Sequence, residues 1–182
     1  MNSRKILLIM CVILAILSSL SMVSAGLFGF GGNSQEIGGI TFNVPGDFEE
    51  VSQPDNDNLV MDFDGMKDVE TKYFGFNQSD GTSIKPNQMA ISVISDSGVE
   101  LEDAEKFSYG DEQDIDFDDY EKTTIGGRAG YAYDSEGKDV GGGHMSAEYH
   151  QFFYMEGDKL VYINIYGWSP YVSSDQIADI IE

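Results

Sequence analysis

Apolar and polar side chains alternate with a period of two along most of this sequence. Ile40, Phe42 and Val44 alternate with Thr41 and Asn43 until Pro45-Gly46-Asp47 ends the run. Leu59, Met61 and Phe63 are interleaved with the acids Asp62 and Asp64, and Met89, Ile91 and Val93 with Ala90 and Ser92. Residues 69–76 are rich in Thr, Tyr and Phe. A period of two sends successive side chains to opposite sides of an extended backbone, so these runs predict strands and not helices.

Turn chemistry then predicts how the strands pair. Gly126-Gly127 separates residues 120–125 from 128–133, the signature of a two-residue hairpin turn. Residues 145–155 and 160–166 flank Glu156-Gly157-Asp158-Lys159, which reads as a second hairpin with a four-residue loop. Two segments carry helical spacing instead. Residues 100–107 place Leu101, Ala104 and Phe107 on one side. Near the end, Ser173 and Gln176 form a capping-box pattern ahead of the apolar stripe Ile177, Ile180, Ile181. The expected fold is α+β: a mainly antiparallel sheet of about six to eight strands flanked by a few helices.

The first 25 residues do not belong to that sheet. Arg4 and Lys5 precede an unbroken apolar run over residues 6–17, and Val23-Ser24-Ala25 puts small residues where a signal peptidase reads. This pattern predicts a secretory signal helix cut after Ala25, with an uncleaved membrane anchor as the alternative. Residues 26–38 are glycine-rich and read as a flexible linker, and 39–182 as a single domain. The chain's one cysteine, Cys11, lies in the apolar run. The mature part therefore lacks disulfides, thiol catalysis, Cys-ligated zinc and iron–sulfur clusters, and must be held by its core.

Charge narrows the partners. The chain has 32 acidic and 10 basic residues, a net charge of −22. Loss of Arg4 and Lys5 leaves 8 basic residues against the same 32 acids, a net −24. Such a surface does not neutralise phosphates, so nucleic acid and anionic lipid are excluded as electrostatic partners. The sequence also lacks a nucleophile elbow, a P-loop and a dinucleotide fingerprint placed after a strand.

Three groups of side chains remain as candidates for chemistry. Residues 100–121 hold 11 acids against one base, Lys106. Within them Asp114, Asp116 and Asp118 alternate with Ile115 and Phe117, so an extended chain would line the three carboxylates along one face. Oxygen-rich faces suit Ca2+, yet same-face residues in a strand stand about 6.6 Å apart, too far for a compact shell without a turning loop. Asp55, Asp57, Asp62, Asp64 and Asp68 form a second acidic group, read as a solvated loop. His144, Glu148 and His150 would share one face of a strand, a conceivable metal triad or acid–base pair. The aromatics Tyr149, Phe152, Phe153, Tyr154, Tyr162, Tyr166, Trp168 and Tyr171 read mainly as core, with Trp168 and Tyr171 as an alternative stacking surface.

Four features together resemble a known pattern: Phe-x-Val-Pro-Gly at 42–46, IGGRAGY at 125–131, FFYMEGDKLVYINIYG at 152–167 and DQIADII at 175–181. Their order is similar to that of PsbP/Mog1-like sandwich domains and of small secreted proteins from methanogenic archaea. The resemblance implies an exported, non-enzymatic domain with an antiparallel sheet flanked by helices; with the signal and the lack of a catalytic motif, the expectation is a cell-envelope or extracellular protein that binds a protein or envelope component without a cofactor. It supplies no catalytic residues. Divalent-cation binding or sensing through residues 100–121 is the alternative, and a metal-dependent hydrolase through His144, Glu148 and His150 the weaker one. The purified exported protein is expected to begin at Gly26. An intact mass that still includes residues 1–25 would show an anchored chain instead.

Overall fold

The computed structural model describes residues 32–52, 59, 61–63, 65–79, 84–109, 116–135, 139–141, 144–145, 147–168 and 171–182. The signal segment and residues 26–31 of the glycine-rich lead lie outside them. The strands are β1 (Asn33–Ile37), β2 (Ile40–Val44), β3 (Glu49–Val51), β4 (Met61–Asp62), β5 (Val69–Ser79), β6 (Ile84–Ile94), β7 (Ser108–Tyr109), β8 (Glu121–Ile125), β9 (Arg128–Ser135), β10 (Asp139–Gly141), β11 (His144–Met145), β12 (Glu148–Glu156) and β13 (Lys159–Gly167). Two 3₁₀ segments, Leu101–Lys106 and Phe117–Asp119, and one α-helix, α1 (Asp175–Ile181), complete the described elements.

Seven strands form one antiparallel sheet in the order β3-β5-β6-β13-β12-β9-β8. Three hairpins build most of it, and the turns of β8–β9 and β12–β13 follow from their residues. Gly126 and Gly127 have φ of 52° and 77°, the left-handed pair that a type I′ turn requires, with Ile125 opposite Arg128. The second hairpin is tighter than its sequence suggests. Glu156 and Lys159 are themselves paired, so only Gly157 and Asp158 turn. Gly157 alone is left-handed there, at φ 66°, as in a type II′ turn. Arg128 Nε donates to Glu156 Oε2 at 2.9 Å and ties the ends of these two hairpins together.

Both faces of the central strands are buried. Residues 160–165 of β13 are all buried, as expected of a strand covered on both sides. On the first face, Val161, Ile163 and Ile165 pack with Met89, Ile91 and Val93 of β6 and with Phe152 and Tyr154 of β12. The β1–β2 hairpin covers them with Ile37, Phe42 and Val44, and α1 adds Ile177, Ile180 and Ile181. On the second face, Leu160, Tyr162, Phe153 and Ile94 meet Met61, Val99, Ala104 and Phe107 from the connections. The Phe153 and Tyr162 rings stack there at 4.4 Å. Each fully buried aliphatic or aromatic side chain of this kind contributes about 1.5–3 kcal/mol, which a cysteine-free core depends on.

Several sequence expectations shift in the structure. Pairing begins before Gly39, because Ile37 is fully buried and β1 lies in register with β2. Residues 100–107 form a 3₁₀ segment and not an α-helix. Its N-terminal end is fixed by a capping box between Glu100 and Asp103, and only Ala104 within it is buried. Ser174, not Ser173, precedes α1, and the capping box is half made: the Ser173 N–H donates to Gln176 Oε1 at 3.1 Å. The alternation at 59–63 yields only the two-residue β4, paired with β7. Residues 145–155 divide between β11 and β12.

Packing is tightest at Gly130. A Cβ there would lie 2.0 Å from the Phe153 carbonyl oxygen and 2.8 Å from the Phe152 ring. The obstacle is backbone of a paired strand, which cannot rotate away. Gly130→Ala is expected to cost about 3 kcal/mol, the upper end of overpacking penalties. An unchanged urea midpoint would refute this account of the β9–β12 contact.

Candidate functional site

At one edge of the sheet β3 covers β5 only from Tyr73 to Gly75. Among the described residues no strand pairs with the outer edge of β5 beyond that point. The turn at residues 45–48, closed by the Phe48 N–H donating to the Pro45 carbonyl at 2.9 Å, leads the chain into β3. Phe48 then meets Phe76 edge to face at 4.8 Å and fastens the turn to β5. Between them lies a cleft of about 400 Å³. Gly75 lies in its wall, where a Cβ would stand 3.5 Å from the Asn87 carbonyl oxygen and 3.7 Å from Gln88 Cγ, so a larger side chain would occupy the space. Asp47 and Glu49, both exposed, also line it.

Gln88 gives this cleft its chemistry. The residue is only 4% exposed, and its Oε1 has no hydrogen-bond partner. A buried acceptor left unmade costs about 1–3 kcal/mol, so an incoming N–H donor would recover that cost. The neighbouring Asn87 is already used: its Oδ1 accepts the Trp168 N–H at 3.0 Å and binds β6 to the chain after β13. By register Gln88 lies opposite Tyr166, diagonal to Asn164, which is fully buried with neither side-chain polar atom paired. Asn164 in turn lies opposite Gln151, whose Oε1 accepts the Tyr120 hydroxyl. The second face therefore changes along its length from rings and aliphatics to amides. Tyr73, Tyr133 and Tyr166 share this part of the sheet, and burial pushes each of their phenols above its ordinary value, keeping them protonated.

A second cleft, of about 590 Å³, opens at the other edge between β8, β9 and the start of α1. Asp119, Glu121, Asp134 and Asp175 contribute carboxylates, and Thr123 and Tyr133 hydroxyls. Asp134 Oδ1 lies 2.8 Å from Nδ1 of the buried His150, and His150 Nε2 lies 3.5 Å from Glu148 Oε2. An ionised carboxylate only accepts, so Nδ1 carries the hydrogen.

The sequence candidates are distributed differently. Glu148 and His150 do share one face of β12, but His144 belongs to β11, opposite Gly141, so the three do not stand along one strand. Asp134, which the spacing does not reveal, is the real companion of His150. Asp114 lies outside the described residues. Asp116 is extended, but Phe117–Asp119 wind into a 3₁₀ turn, so the exposed Asp116 and Asp118 do not share a strand face. Asp55, Asp57 and Asp64 also lie outside the described residues. Among the described residues no three His, Cys, Asp or Glu side chains are grouped closely enough to hold a metal ion. Of the aromatic series, Phe152, Phe153, Tyr154 and Tyr162 are core, and Tyr171 is exposed. Sequence reasoning missed Gly75 and Gln88. The signal for the first was a glycine inside a strand pattern, which often marks a close approach of another group.

Among the described residues no helix is long and apolar enough to cross a membrane. No family model matches the chain, and no curated protein or solved structure matches it.

Within the acidic segment two carboxyls cap 3₁₀ turns: Asp119 accepts from the Asp116 N–H at 3.1 Å, and Asp103 plays the same part at the other turn. Asp103 accepts from Lys106 Nζ and from the Glu100 N–H at 2.8 Å, and these bonds hold its carboxyl below the ordinary value of 3.8. A depressed folded value means that the contribution is complete above 3.8 and is lost as pH falls through the lower folded value. Hydrogen-exchange protection of the Glu100 amide is expected to hold at neutral pH and to fall only below that ordinary value. Asp103→Ala should abolish the protection at every pH. Protection that survives the substitution would contradict the cap.

Proposed function

We propose that this protein is an exported, acidic, non-enzymatic binding module of the cell envelope or extracellular space. It is secreted or surface-borne once residues 1–25 are removed, and membrane-anchored where they are kept. We place its fold with the PsbP/Mog1-like sandwiches, a reading supported by the antiparallel sheet, its two covered faces and the terminal helix. The observation that carries the binding role is Gln88 Oε1, a buried acceptor without a hydrogen-bond partner on a residue that lines a cleft. Natural interiors pair nearly all such groups, and exceptions call for an explanation. A ligand that donates a hydrogen bond to Gln88 Oε1 supplies that explanation.

A second reading is divalent-cation sensing. It is favoured by Asp119 and Glu121, at the end of the acidic segment, entering the second cleft beside Asp134 and Asp175. With no compact ligand set among the described residues, the cation would be held through its hydration shell.

The purified exported protein is expected to show no turnover on a panel of ester, phosphoester, peptide and glycoside substrates. Turnover abolished by one polar substitution would overturn the binding reading. Calorimetry with Ca2+ against monovalent salt of equal ionic strength decides the second reading. Saturable heat supports it, and equal traces end it.

A further inference from the structure

We infer that the cleft beside Gly75 receives an organic cation with N–H donors, an alkylammonium or guanidinium head group. This inference rests on the reading of the protein as a binding module and adds the chemistry of the ligand.

Each side of the cleft argues for the same class. Gln88 Oε1 is an acceptor with no partner, so the group that meets it must donate. Asp47 and Glu49 are exposed carboxylates, and among the described residues no basic side chain pairs with either. Lys72, on the neighbouring strand, is already engaged by Glu50 at 3.5 Å and Gln35 at 3.3 Å. Among the described residues no basic side chain lines the cleft. An anion would therefore meet two like charges, and the net charge of −22 would repel it from a distance. A bare divalent metal asks for several oxygens converging on one point, and no such group exists among the described residues. A head group with several N–H donors instead fits acceptors spread along a cleft. Phe76 also lines the cleft and, through its contact with Phe48, fixes one of its walls. The volume, about 400 Å³, admits one side chain or a short amine.

The head group has two sources, a free amine and a Lys or Arg side chain of a peptide. The peptide has an added route, because among the described residues no strand pairs with the outer edge of β5 beyond Gly75.

The test is isothermal titration of the exported protein with n-butylammonium, n-butylguanidinium and the blocked tripeptide acetyl-Gly-Lys-Gly-amide. Tetramethylammonium, a cation without N–H donors, and 1-pentanol are the controls. Saturable binding of an N–H cation at least tenfold tighter than either control is expected, together with a shift of the Gln88 side-chain amide resonance. Asp47→Asn with Glu49→Gln, both at exposed positions, should weaken that binding at least tenfold without moving the melting temperature. Gln88→Leu should weaken it in a protein whose melt shows that it is folded. Tighter binding of the tripeptide than of free butylammonium assigns the peptide source, and equal binding the free amine. Three results would overturn the inference: no N–H cation binding beyond tetramethylammonium, equal binding of 1-pentanol, or binding unaffected by the double substitution. Preferred binding of the neutral alcohol would sink the cation inference and leave the binding role standing. Enzymatic turnover would remove that role whatever the cations do.

Discussion

The rest of the molecule depends on the burial of β13 from both sides. An antiparallel sheet usually leaves one face to water, and this one does not. Val161, Ile163 and Ile165 face one apolar layer while Leu160 and Tyr162 face another. Two covers are then needed, and the chain supplies unlike ones. The first is regular, a hairpin and a helix. The second is assembled from connections, the stretch around Met61 and the 3₁₀ segment Leu101–Lys106. A chain without disulfides gains its stability from this double burial.

The second cover leaves part of its face amide-lined. Over Leu160, Tyr162 and Phe153 the connections bring rings and aliphatics. Further along the strands the sheet presents Asn164, Gln151 and Gln88 instead. Amides buried among tyrosines lose water, and packing here does not return every hydrogen bond. The core thus becomes polar in the direction of the Gly75 cleft. A group that costs stability in the free protein is one that a partner can repay, which links the energetics of the fold to the chemistry assigned to its edge.

Much of the sheet was legible in the sequence because strands announce themselves through period and turns. Gly126-Gly127 specified its hairpin nearly to the residue, and Ile177, Ile180 and Ile181 specified the buried side of α1. Lengths were less legible, since pairing extends wherever a partner is available. β1 grew out of a stretch whose glycines suggested a tether, because Ile37 has a core to enter. The helical spacing of Leu101, Ala104 and Phe107 became a 3₁₀ turn, capped by Glu100 and Asp103 at its start and closed by the Phe107 N–H donating to the Ala104 carbonyl at its end. The clefts were least legible. Gly75 and Gln88 are neighbours only through the pairing of β5 with β6, and Asp134 and His150 only through β9 with β12. Such pairs belong to register, which one chain read in order does not display.

The first-face cover has a consequence for how this chain reaches its folded state. Its two parts come from opposite ends of the sheet domain, β1–β2 from the beginning and α1 from the last turn before Glu182, and they pack against each other as well as on the sheet. The central pairing of β6 with β13 likewise joins segments far apart in sequence. Long-range closures of this kind make folding slow. The first-face core therefore cannot be completed until residues 175–181 have packed onto β1–β2 and the sheet, which makes its closure a late, long-range step.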